Sequence, residues 1–146
     1  MPLVDRELRT LARPEERAIL GASMGGLFSL YAVWTRPAVF GHAICFSSSF
    51  WWADRWLVHE VQGSVCPDPR PMIYLDSGAT ASPFAEDASL RDGQHHTRAM
   101  LRALVEQGYA LGDDLHVLAF PGQPHSAPAW GARVAVPLQL IFPKVG

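Results

Sequence analysis

Cysteine is scarce in this chain, with two residues, Cys45 and Cys66, among 146. One lies in an apolar run and the other in a proline-rich loop, so they make no disulfide framework and both read as free thiols. Basic clusters are missing as well. The formal net charge of -2 leaves no electrostatic footprint for nucleic acid or an anionic membrane, and points to a small or neutral ligand. No uninterrupted apolar stretch reaches the length of a membrane span, and residues 1–13 are charged where a signal peptide would be apolar. The chain is therefore expected to work in the cytoplasm, away from membranes. Neither H-E-x-x-H nor paired C-x-x-C occurs, and His95 and His96, being adjacent, cannot share a helix face, so no metal or other cofactor is expected. Internal repeats and domain-splitting linkers are absent too. With 49% hydrophobic and 18% charged residues, residues 1–146 read as a single domain able to bury a core.

What is present alternates between strand and helix. Leu3, Val4, Leu8, Leu11 and Ala12 recur at helical spacing, which predicts an amphipathic helix over the first dozen residues, ended by Pro14. Short apolar runs at 17–20, 43–47, 71–76 and 115–120 read as buried strands. Between them the pattern predicts helices from Met24 to Thr35, through Trp56 and Val58, and from Gly93 to Gln107. One last helix is expected from Ala127 to Phe142. Four such alternations predict a parallel α/β sheet with helices on both faces.

The run Ala18-Ile19-Leu20-Gly21-Ala22-Ser23-Met24-Gly25-Gly26-Leu27 sets a G-x-S-x-G pentapeptide between the first strand and the first long helix. In that context the serine sits on a sharp strand-to-helix turn that holds its hydroxyl outward, and the glycines relieve clashes with the neighbouring strand or helix. Ser23 is the candidate nucleophile. The amide of Met24, at the positive end of the helix, is placed to donate to an oxyanion. A serine needs a base, and of the six histidines His125 alone sits on a loop between a strand end and a helix. Loops at the carboxyl ends of parallel strands meet in one crevice, so Ser23 and His125 can converge. Trp51 and Trp52 directly follow a strand end and are candidate substrate-binding residues, with core packing as the other reading.

Taken together these residues resemble the α/β-hydrolase esterase family that includes esterase D and the enterochelin-type siderophore esterases. Gly21-Ala22-Ser23-Met24-Gly25-Gly26 is similar to its nucleophile elbow, and Pro37-x-x-Phe40-Gly41 with Ser47-x-Ser49-Phe50-Trp51-Trp52 to its next strand and loop. Tyr74-Leu75-Asp76-Ser77-Gly78 looks like the acid-bearing strand, and Pro121-Gly122-x-x-His125-Ser126-x-x-x-Trp130 like the histidine loop. The resemblance implies a serine esterase acting through an acyl-enzyme, on siderophore-type or short-chain esters. Acyl transfer and a non-catalytic binding module stand as alternatives. The run Asp87-x-x-Leu90-x-Asp92-Gly93-Gln94 resembles a shifted form of the family's acid loop, which favours Asp87 as the triad acid over Asp92 and Asp76; a Ser23–His125 dyad is the remaining option. Family members carry further strands and the second oxyanion donor upstream of the elbow, so the chain is expected to represent a partial domain. Its first strand would then be an exposed edge, open to self-association.

Overall fold

The computed structural model describes residues 2–79 and 94–143. Four parallel strands form one sheet in the order β1-β2-β3-β4, with β1 at Ala18–Ala22, β2 at His42–Phe46, β3 at Met72–Ala79 and β4 at Leu115–Gln123. Sheet neighbours are therefore chain neighbours. β2 is buried at every position, as expected of an inner parallel strand covered on both faces. Its alternate side chains serve two cores. Cys45, with Leu75 of β3, faces a cluster that includes Leu30, Val33, Leu57, Val61, Met100 and Leu104. Ile44, Phe46 and Tyr74 point the other way, toward Ile141 and Trp130.

The first core is closed by α2 (Met24–Thr35), α3 (Trp52–Gly63) and α4 (Gln94–Glu106), the second by α5 (Ala127–Arg133) and α6 (Ala135–Ile141). Each fully buried leucine or valine here is worth roughly 1.5–3 kcal/mol relative to exposure. α2 is apolar nearly all round, and among the described residues one side of it is covered far less than the other. Leu30 and Val33 are buried, whereas Phe28 is 58% and Tyr31 37% exposed, as is Leu20 on the adjoining β1 at 46%.

Three expectations need correction. The first helix, α1, covers only Pro2–Glu7, and Pro14–Glu16 forms a separate 3-10 turn; proline favours the first position of a new turn because its missing N–H needs no partner there. The predicted last helix is two, α5 and α6, meeting at Val134. Pro137 has no N–H for the carbonyl of Arg133, and its ring crowds that carbonyl. Finally, β4 runs on through Pro121 and Gly122 to Gln123, with an irregular register between Ser77 and Ala79 of β3.

Candidate active site

Ser23 stands between β1 and α2 with φ 57° and ψ −120°, a backbone conformation that costs a non-glycine residue about 1–3 kcal/mol. The surrounding bonds hold it there. Its N–H donates to the Phe46 carbonyl at 2.9 Å, and its own carbonyl accepts from the N–H groups of Gly26, Leu27 and Ser49. Close packing of strand and helix start demands glycine at two positions. A Cβ on Gly21 would fall within 3.0 Å of the Gly25 backbone, and one on Gly26 would run into the Ser48 hydroxyl. Gly25, the second glycine of the pentapeptide, faces open space instead, so the third glycine of the run has the packing role expected of the second.

The N–H of Met24 opens α2 and is one of the four that a helix leaves without an intrahelical acceptor. It lies next to Ser23 in the chain, at the positive end of a twelve-residue helix. The Ser23 hydroxyl lies 3.1 Å from that of Ser49. Ser49 belongs to the segment Ser47–Ser49, buried throughout, that leaves the carboxyl end of β2. Trp51 and Trp52 follow it and lie at the surface, 36% and 44% exposed, while Phe50 beside them fills the core at 1%. Trp52 meets Trp56 edge-on at 6.3 Å between ring centroids, and Trp56 tilts against Tyr31 at 5.6 Å. These tryptophans thus form an aromatic surface patch rather than core filling, held up by a left-handed turn at Ala53, Asp54 and Arg55.

His125 follows β4 and precedes α5, and its ring packs edge-on against Trp130 at 4.9 Å. Asp87 and Asp92 lie outside the described residues. Asp76, the fifth residue of β3, is engaged by Arg133. The guanidinium donates Nε–H to Oδ2 at 2.9 Å and Nη2–H to Oδ1 at 2.8 Å, and Nη2 also reaches the Ser47 hydroxyl at 3.0 Å. The Tyr74 hydroxyl and the Ser47 N–H complete the carboxylate's shell at 3.1 and 3.2 Å. Burial pushes the Asp76 carboxyl above its ordinary range, and Arg133 pulls it only part of the way back. The sequence pattern carries no sign of Arg133, since nothing in helical periodicity marks one polar position on α5 as the partner of a carboxylate on β3.

A cavity of about 570 Å³ lies elsewhere, along the outer edge of β1 between Val4, Leu11, Leu20, Leu138 and Phe142. Both cysteines are free, and Cys45 is buried. Among the described residues no helix is long and apolar enough to cross a membrane.

Known proteins share this fold. Over 67 residues, 42% of the chain, the sequence is 42% identical to a siderophore triacetylfusarinine C esterase of Aspergillus fumigatus, and the match covers 23% of that protein. An enterochelin esterase from Shigella flexneri superposes with a TM-score of 0.75 at 22% identity, over 98% of this chain and 34% of that one. A siderophore hydrolase from Aspergillus nidulans gives 0.60 at 24% identity, over 99% of this chain and 55% of that one. The chain thus spans about a third of the enterochelin esterase it matches. Those likenesses bear on the fold; the family follows from the whole sequence. Residues 1–139 match the model of the family described as Putative esterase, and the chain belongs to it.

Proposed function

We propose that this chain carries the nucleophile and base of a serine esterase. The observation that supports it most is the backbone of Ser23, a non-glycine residue held at φ 57°, ψ −120° between a strand and the first N–H of a helix. Strain of this kind costs stability and recurs where a reactive group must be aimed. Ser23 attacks the ester carbonyl as His125 takes the hydroxyl proton, and the Met24 N–H donates to the oxyanion. His125 then protonates the leaving alcohol. Water, activated by the same histidine, attacks the acyl-enzyme and frees Ser23. Asp87 is the acid we assign to orient His125. Trp51 and Trp52 offer an apolar shelf to a substrate, and esters of the siderophore type or of short acids are the candidates, given the names of the relatives.

A fluorophosphonate probe tests the reading. It should add to Ser23 of the native chain, fail on Ser23→Ala and label His125→Ala orders of magnitude more slowly, whereas an inert binding module would take no label. Products formed from an activated ester with and without an added alcohol separate hydrolysis from acyl transfer.

A further inference from the structure

Arg133 touches two segments that the chemistry must hold in register. It is 4% exposed and sits at the last position of α5, the helix that begins two residues after His125. Through Asp76 it is fixed to β3, and through Ser47 to the residue that follows β2. Ser47 is two residues ahead of Ser49, whose hydroxyl meets that of Ser23. One guanidinium therefore links the helix that follows the histidine to the segment that touches the serine. Two aromatic rings fix its plane, Phe120 of β4 at 5.0 Å and Phe46 of β2 at 5.8 Å.

Stability alone is a poor reason for this arrangement. Taking two charges out of water offsets most of their attraction, and replacing a buried ion pair by apolar residues of similar volume is often neutral or stabilising. The fork of an arginine on a carboxylate contributes direction, because two parallel bonds fix distance and angle together. With a rise of about 1.5 Å per residue, the seven residues of α5 span only about 10 Å, so its angle at Arg133 bears directly on the end next to His125. We propose that Arg133, clamped by Asp76, is a positioning residue that sets His125 against Ser23. This rests on the esterase reading above, and it assigns Asp76 to the clamp.

The test is the rate at which a fluorophosphonate labels Ser23, read by intact-chain mass spectrometry. Asp76→Leu/Arg133→Met keeps the volume and removes the fork. It should retain the circular dichroism and cooperative melt of the parent, yet label about 10²-fold more slowly, the loss expected for misplacement on the order of 1 Å. The probe concentration giving half-maximal rate should barely move. In a His125→Ala background the same pair of changes should have little further effect, because its influence runs through the histidine. Arg133→Lys keeps the charge but cannot form the fork; it should label several-fold more slowly, and carries the test alone if the double variant does not fold. Labelling at the parental rate in a folded variant, or equal slowing with and without His125, overturns the proposal. In either case Ser23- and His125-dependent labelling of the parent leaves the esterase reading standing. Absence of any labelling in the parent overturns that reading, and the proposal with it.

Discussion

The hydroxyls of Ser23 and Ser49 lie 3.1 Å apart, and the Ser49 N–H also donates to the Ser23 carbonyl at 3.0 Å. Two serines thus share one corner, and substitution tells them apart. Ser49→Ala removes one hydrogen bond, worth a net of about 0.5–1.5 kcal/mol, so covalent labelling should persist at a rate within about tenfold of the parent. Ser23→Ala should abolish it. Peptide mapping of the labelled chain checks both.

The three glycines of the elbow should respond differently to alanine. Gly21→Ala drives a methyl into the backbone of Gly25, where nothing flexible can yield, and should cost at least about 3 kcal/mol or prevent folding. Gly26→Ala meets the buried Ser48 side chain and the Gly21 carbonyl, and should cost about 1–3 kcal/mol. Gly25→Ala has open space around it on a helix, and should raise stability by about 0.5–1 kcal/mol. Urea unfolding midpoints at constant slope give the ranking.

Stability should fall in mild acid because of His96. Burial, then the neighbouring charges of His95 and Arg55, push this 7%-exposed imidazole down to about 4. In the unfolded chain it would take up its proton near 6.5. Between those values the unfolded state binds more protons, so folding free energy is lost as pH falls from 6.5 toward 4. Thermal melts at pH 7, 5.5 and 4.5 should show a declining midpoint, and His96→Gln should flatten that decline. A parent midpoint that stays level over this range would contradict the assignment.

Self-association is expected at the outer edge of β1. Among the described residues β1, a five-residue strand, is an edge of the sheet and lies beside exposed Leu20, Phe28 and Tyr31, and both features favour recruiting a second strand and apolar cover. In size-exclusion chromatography the parent should elute above the mass of one chain. Leu20→Lys with Phe28→Lys should shift it to the monomer position. A parent that runs as a monomer at all concentrations would remove the argument.

Much of this architecture was readable from the sequence because it is local. The strands at 17–20 and 43–47 are displaced by no more than two residues, and α2 matches its expected bounds, Met24 to Thr35. Short apolar runs bounded by glycine and proline leave little choice of element. The strained turn at Ser23 was legible for the same reason, being written in five consecutive residues. The division of α5 from α6 was overlooked although Pro137 announced it. The left-handed turn at Ala53, Asp54 and Arg55 had little signal, since only Asp54 is of a type that visits that region and it does so as a single residue. Arg133 and Asp76, 57 positions apart, were illegible in principle: a single sequence records each residue's polarity and not its partner.

A sheet whose spatial order repeats its chain order has a consequence for how the molecule assembles. Each strand pairs with the one just before it, so every crossover closes a modest loop, and closure entropy grows only logarithmically with length. Parallel pairing across a crossover is still non-local and slow compared with helix formation, and the sheet can grow one crossover at a time. The Arg133–Asp76 clamp joins the last strand–helix segment back to β3, so it forms only after the β3–β4 pairing exists. Compactness should therefore precede competence. In refolding from urea, helical ellipticity is expected to return before fluorophosphonate labelling does, and the two signals recovering with one rate constant would show that sheet and clamp form together.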